Sequence, residues 1–309
     1  MAEAKTWLPA AAAVAAAALG GAAIVATRVA VPEGDPLAVS FWRHLGAGAI
    51  MLAIAAARVR LRVPRADLVG IAALGVLQFG LFAYLFAASL QHVSSARGAL
   101  VLSTMPILTM AIAAAVGRER LSLFKTVGGL IGIAGVFVAL GERAAAAGSE
   151  VWKGDALMFG ASVVGSLYNV LSGVHLRRHP ALAVVAIQLP IAAAATLVVL
   201  AASGDFSGLW RFEAGGWVAL VFLMSFGGAL CFYMWIWALE HTQPSRVAIA
   251  VTVNPIAAAI LGAIILAEPI TGRVVIGLVG VVAGIALVNW PARLSSIGGA
   301  VDDIETHRK

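Results

Sequence analysis

Residues 99–121, ALVLSTMPILTMAIAAAVGRERL, form a long apolar run with a proline near its middle and a charged triplet at its end. The same arrangement returns in residues 248–270, AIAVTVNPIAAAILGAIILAEPI. In both runs a glutamate follows the proline by 13 residues, so Pro106 and Glu119 correspond to Pro255 and Glu268 at a constant offset of 149. This recurrence predicts two copies of one structural unit.

The composition of the whole chain excludes a soluble domain. The 309 residues are 61% hydrophobic and 12% charged, with a mean hydropathy of +0.98, whereas a soluble domain carries roughly 25% charged residues. The apolar stretches are continuous over about 20 residues, as a membrane-spanning helix requires, and do not alternate as barrel strands do. The predicted fold is an all-α integral membrane protein.

Ten such stretches follow one another with short loops between them. They cover residues 7–30, 36–57, 66–89, 95–116, 122–140, 152–175, 181–202, 215–239, 245–267 and 272–290. We predict a first five-helix repeat over 7–143, a second over 152–293, and a polar cytoplasmic tail over 294–309.

The repeat extends well beyond the two prolines. At offset 149, residues 84–140 align with 233–289 without a gap, while an offset of 145 pairs Gly20 with Gly165. Chance similarity between apolar sequences is the alternative. Because each repeat holds an odd number of spans, the second copy enters the membrane inverted, and inverted repeats are a device of transporters that expose a midplane site to each side in turn.

The prolines and glutamates of the opening stretches have separate interpretations. Pro106 and Pro255 each remove a backbone hydrogen bond, so they are predicted to bend spans four and nine and to act as hinges. Glu119 and Glu268 lie at the far ends of these spans. A structural role is the alternative for both, through pairing with a loop arginine or capping the helix that follows.

Loop charges predict the orientation of the chain. Fourteen Lys and Arg residues fall on the side of the N-terminus and six on the other, which predicts that both termini are cytoplasmic. The membrane that we expect is a bacterial inner membrane. The first apolar run mimics a signal peptide but is interpreted as an uncleaved helix. The lone cysteine, Cys231, has no intrachain disulfide partner.

The repeats, the proline-to-glutamate spacing and the glycine-rich fifth spans, TVGGLIGIAGVFVAL and VVIGLVGVVAGIALVNW, together resemble the drug/metabolite transporter superfamily, in its ten-helix EamA form. The resemblance implies a central cavity lined by spans one, three, four, six, eight and nine, with spans five and ten at the periphery. Within the family, the aromatic residues favour amino-acid exporters of the YddG type.

Few polar residues lie deep within the spans. Arg43 either binds a substrate carboxylate or reaches the outer interface as a snorkelling side chain. Gln78 and Asn169 are the best placed amides, and helix-to-helix hydrogen bonding is their alternative role. No Asp or Glu lies in the middle of a span, which favours a neutral or zwitterionic substrate.

Aromatic residues concentrate in spans three, six and eight. They predict a substrate site between these spans, with ordinary helix packing as the alternative. Tyr84 and Tyr233 are repeat mates, interpreted as alternating gates. The aromatic candidates are Phe79, Phe82, Tyr84, Tyr168, Phe232, Tyr233 and Trp235.

Other function classes are disfavoured by the sequence. It contains no phosphate-binding loop and no motif of a membrane-embedded enzyme, and it shows no charge ring of a pore. We therefore predict a secondary exporter or exchanger of small metabolites, with amino acids first and nucleosides, sugars or drugs as alternatives. The predicted partners are a small-molecule substrate and the lipid bilayer, with no nucleic acid, no metal and no cofactor. The predicted state is a monomer, with a dimer as the alternative.

Overall fold

A computed structural model describes residues 7–59, 63–118, 123–140, 149–204 and 206–288, and every regular element within these ranges is helical. We number the principal helices by span. They are α1 (Leu8–Ala30), α2 (Pro36–Arg58), α3 (Arg65–Gly75, Val76–Phe82 and Ala83–Ser89), α4 (Ser95–Leu102 and Met105–Ala115), α5 (Leu123–Leu140), α6 (Ser149–Leu171 and Gly173–Leu176), α7 (Ala181–Ser203), α8 (Ala214–Met224, Ser225–Leu230 and Cys231–His241), α9 (Pro244–Ile249, Ala250–Thr252 and Val253–Leu266) and α10 (Gly272–Val288).

Eight of these helices are long and apolar enough to cross a membrane, and α10 contains a shorter apolar stretch, Gly272–Gly284. The predicted all-α membrane fold is therefore confirmed. Two parts of the prediction, Glu119 and the tail over 294–309, lie outside the described residues.

Irregular helical geometry recurs at equivalent places in the two halves of the chain. The π-helical segment Val76–Phe82 in α3 has its counterpart in Ser225–Leu230 of α8, and the two segments begin 149 residues apart. A break in α4 at Ser103 likewise corresponds to the 3₁₀ turn Ala250–Thr252 in α9. π-helical turns are rare and often mark functional sites.

The two prolines explain the breaks in α4 and α9. Proline has no N–H to donate, and its ring clashes with the carbonyl group four residues earlier. For Pro106 that residue is Leu102, where the first segment of α4 ends, and for Pro255 it is Val251 in the 3₁₀ turn. The spans are therefore interrupted rather than only bent.

The glycine-rich helices α5 and α10 pack against each other within one chain. A Cβ atom built on Gly284 would lie 2.7 Å from the backbone nitrogen of Gly132 and would also collide with the carbonyl oxygen of Gly128. One on Gly280 would lie 2.9 Å from the Cα atom of Gly135. Close backbone approach of this kind is what small residues allow between membrane helices.

Replacing Gly284 by alanine is expected to destabilise this pair of helices. The obstructing atoms belong to the backbone, so they cannot move away as a side chain would, and overpacking typically costs about 1–3 kcal/mol. Gly272→Ala is the control on the same helix, because a Cβ there meets nothing within 4 Å. Thermal unfolding in detergent measures the difference, and equal midpoints for the two variants would contradict the packing argument.

Candidate functional site

A cavity of about 90 Å³ lies at mid-depth between the helices, where the interrupted and π-helical segments meet. Helices α1, α3, α4, α6, α8 and α9 line it, and α2 adds Arg43, which the family resemblance does not imply. Among the lining residues, Leu102 and Met105 lie on either side of the break in α4. Val251 and Asn254 lie at the corresponding break in α9. The broken helices thus open the space that the cavity occupies.

Arg43 is the charged residue among those that line the cavity, and it is only 7% exposed. Its Nη2 donates to the carbonyl oxygen of Gly227 in the π-helical segment of α8, at 2.7 Å. The guanidinium carbon lies 4.7 Å from the ring centroid of Phe232, a cation–π contact. The Nε atom is buried without a hydrogen-bond partner. Arg43 therefore points inward and does not snorkel to the interface.

Two amide oxygens of the cavity lining also lack partners. They are Oε1 of Gln78 on α3 and Oδ1 of Asn254 on α9. A buried polar atom without a hydrogen bond costs about 1–3 kcal/mol. The residues that line the cavity thus include one cationic donor and two neutral acceptors that are buried without a hydrogen-bond partner.

Asn169 on α6 lines the same cavity but is already engaged. Its Oδ1 accepts a hydrogen bond from Nε1 of Trp235 at 3.1 Å, and its Nδ2 lies 3.7 Å from the sulfur of Met105. The amide therefore orients the indole ring of Trp235, which is also part of the lining. Asn169 links α6 to both α4 and α8.

The apolar wall of the cavity is largely aromatic. Phe82 and Phe86 follow Gln78 at intervals of four residues, so all three share one face of α3. Phe232 and Trp235 complete the wall from α8 at an interval of three residues. Such faces suit an apolar or aromatic group of a ligand.

The three tyrosines predicted for the site lie elsewhere. Tyr168 is fully buried, and its hydroxyl donates to Oε1 of Gln188 at 2.8 Å, while Nε2 of Gln188 donates to the carbonyl of Ile71. Tyr84 is 39% exposed and lines an outer groove between α2, α3 and α7. Tyr233 packs against a hydrophobic core cluster and does not line the cavity.

Helix geometry accounts for these positions. Tyr168 and Tyr233 each directly follow or precede a lining residue, and adjacent residues on a helix point about 100° apart. Phe79, also predicted for the site, is buried behind the wall, with its ring centroid 4.7 Å from that of Phe232. It supports the lining without being part of it.

Glu268 has a structural role in the other half of the chain. Its carboxylate accepts hydrogen bonds from the backbone N–H and the hydroxyl of Ser95, at 3.1 and 3.2 Å, at the N-terminus of α4. It also lies 3.9 Å from Nε of Arg28. Of the two structural roles considered, pairing with an arginine agrees with the contact to Arg28, whereas the helix that Glu268 caps is α4 and not α10, where Thr271 provides the acceptor.

Some lining residues escaped the sequence-based site prediction, among them Gly20, Gly165 and Met105. The repeat offers a signal for them after the fact. Gly20 and Gly165 are mates at offset 145, and Met105 is the mate of Asn254 at offset 149. Positions next to the repeated prolines were therefore informative.

Known proteins share both the sequence pattern and the fold. The EamA-like transporter family matches residues 7–141 and again residues 152–290. The chain is 24% identical to the uncharacterized transporter YoaV of Bacillus subtilis over 84% of this chain and 89% of that protein. It is 25% identical to an uncharacterized transporter of Archaeoglobus fulgidus over 87% of this chain and 94% of that protein. One crystal structure of a protein superposes with a TM-score of 0.72 at 23% identity, covering 92% of this chain and 97% of that chain.

Proposed function

This chain belongs to the EamA-like transporter family and is a membrane transporter rather than an enzyme, and on that premise we propose that it carries small zwitterionic metabolites, with amino acids first, by alternating access. The observation that carries the proposal is a set of buried polar atoms that have no hydrogen-bond partner and belong to residues of the cavity lining. They are Nε of Arg43, Oε1 of Gln78 and Oδ1 of Asn254.

An α-amino acid is complementary to this set. Its carboxylate can accept from Nε of Arg43, and a charge-assisted hydrogen bond is roughly twice as strong as a neutral one. Its ammonium group can donate to the amide oxygens of Gln78 and Asn254. Within the described part of the chain, no Asp or Glu lines the cavity, so an amine without a carboxylate would meet only the positive charge of Arg43.

The aromatic wall provides for the rest of the ligand. Phe82, Phe232 and Trp235 offer ring faces and edges to an apolar side chain. Sugars and nucleosides, the alternative substrates, could stack on these rings and bond to the amides. They have no carboxylate, however, so they could offer the Nε atom of Arg43 only a neutral acceptor and would leave its positive charge without an opposite charge.

The repeated irregularities support alternating access. A break beside a proline and a π-helical segment occur in each half, next to the cavity. Transporters with inverted repeats place their substrate at such discontinuous helices near the bilayer midplane. We take Pro106 and Pro255 as hinge residues, with both termini in the cytoplasm.

Replacing Gln78 by alanine tests the acceptor side of the site. Loss of one hydrogen bond to the ammonium group should weaken apparent affinity for an amino acid by about 0.5–1.5 kcal/mol, or roughly 2- to 13-fold. The measurement is displacement of a radiolabelled amino acid from purified protein.

Gln91→Ala is the matched control, because Gln91 is exposed in the loop after α3 and does not line the cavity. Wild-type affinity in the Gln78 variant would remove this residue from the site. Equal weakening in both variants would show that the loss is not local to the cavity.

A further inference from the structure

Two glycines that are repeat mates face the cavity from opposite halves of the chain. Gly20 lies on α1 and Gly165 on α6, and both belong to the lining. Their neighbours differ in chemistry. Gly20 adjoins the amide of Asn254, whereas Gly165 adjoins the side chains of Met105 and Phe82.

The space at Gly165 is already filled by these two side chains. A Cβ atom there would lie 2.6 Å from Cε of Met105 and 3.2 Å from Cε2 of Phe82. Both contacts are with the far ends of side chains, which can rotate away, so the backbone need not shift. The open space that borders both side chains is the cavity itself. A methyl group at this position therefore moves apolar atoms into the ligand space.

The contact at Gly20 concerns the polar end of the cavity instead. A Cβ atom there would lie 3.2 Å from Oδ1 of Asn254, the acceptor assigned above to the ammonium group. A substitution at Gly20 would therefore disturb a group common to all amino acids. In this arrangement the first-repeat glycine, Gly20, borders the ammonium group that all amino acids share. The second-repeat glycine, Gly165, borders the side chain, which differs between amino acids.

From this geometry, and resting on the proposed function, we propose that Gly165 determines the largest apolar side chain the transporter accepts. The missing side chain at 165 lets Met105 and Phe82 withdraw from a cavity of only about 90 Å³. Ligand sites for larger molecules usually measure about 300–1,000 Å³, so a small displacement takes up a large share of this space.

Competition binding with L-alanine and L-phenylalanine tests the assignment. Gly165→Ala is expected to weaken the binding of L-phenylalanine by about tenfold or more, because overpacking by one methyl group has a cost of that size. The affinity for L-alanine should change by less than about threefold. Gly160→Ala on the same helix is the control, because its Cβ would make ordinary contact with Leu85 at 3.6 Å and lies outside the lining.

A second variant keeps the test independent of folding at Gly165. Met105→Ala enlarges the same region, so it should increase the affinity for L-phenylalanine relative to that for L-alanine. Combining it with Gly165→Ala should restore the binding of L-phenylalanine. If the substitutions changed the affinities for both amino acids in parallel, or changed neither, the assignment of Gly165 would be overturned but the proposed function would not. Wild-type protein that binds neither amino acid would contradict the proposed function as well.

Discussion

Replacing Arg43 by glutamine is expected to weaken amino-acid binding by about 10- to 150-fold, the largest loss for a substitution in the cavity. A hydrogen bond that involves a charged group contributes about 1.5–3 kcal/mol. Here the carboxylate of the ligand would lose the cationic donor of the lining. The effect is measured as the dissociation constant for an amino acid and for the amine that its decarboxylation gives.

The comparison of the two ligands makes the test specific. The amine has no carboxylate, so its weak binding should be unchanged or improved in Arg43→Gln. Arg177→Gln is the matched control, because Arg177 also donates to a glycine carbonyl, that of Gly173, but at an exposed position. Equal losses for both ligands would indicate that Arg43 only supports the fold through Gly227.

Replacing Asp155 by asparagine should cause the largest loss of stability. Asp155 on α6 accepts two hydrogen bonds from Arg97 on α4, at 2.9 and 2.6 Å, and both side chains are nearly buried. The substitution removes the carboxylate charge from a largely buried ion pair, and breaking a buried pair costs about 3–5 kcal/mol. The expected result is a markedly lower thermal midpoint in detergent.

Glu150→Gln is the control for that measurement, since the side chain of Glu150 is 67% exposed and its pair with His92 lies at the surface. Exposed ion pairs contribute about 0–1 kcal/mol. The double substitution Arg97→Met with Asp155→Leu should return the thermal midpoint most of the way to the wild-type value, because an apolar pair replaces both charges. A midpoint that is unchanged in Asp155→Asn would contradict the argument from burial.

The positions of the spans follow closely from the sequence, because the hydrocarbon core sets one length scale for all of them. Span two was predicted over 36–57 and is observed over Pro36–Arg58, and span seven was predicted over 181–202 and is observed over Ala181–Ser203. The places where α4 and α9 depart from regular geometry, beside Pro106 and Pro255, were also predicted, although as bends and not as interruptions.

The faces of the helices could be predicted less well. The π-helical segment Val76–Phe82 changes the rotation of α3 between Gln78 and Tyr84, and its composition of Val, Leu, Gln, Phe and Gly carries no signal for a wider turn. Tyr84 does not line the cavity, although its position along the span is suitable, because it follows the lining residue Phe82 by two positions and so points about 200° away from it around the helix. The partner of Glu268, Ser95, lies 173 residues away, and only the assembled fold brings the two together.

The polar lining illustrates the same division. Arg43, Gln78 and Asn169 stand out in apolar helices, because polar residues at membrane depth are costly. Their different uses do not show in the sequence. Asn169 bonds to Trp235, while Oε1 of Gln78 has no hydrogen-bond partner.

Counterflow in proteoliposomes tests the central claim most directly. Vesicles that contain purified protein are loaded with an unlabelled amino acid, and uptake of the same radiolabelled compound is followed, with a sugar and a nucleoside in parallel vesicles. We predict saturable uptake of the amino acid that is stimulated by the internal substrate and is strongly reduced in Arg43→Gln. Exchange of the sugar or the nucleoside, with no exchange of any amino acid, would contradict the account.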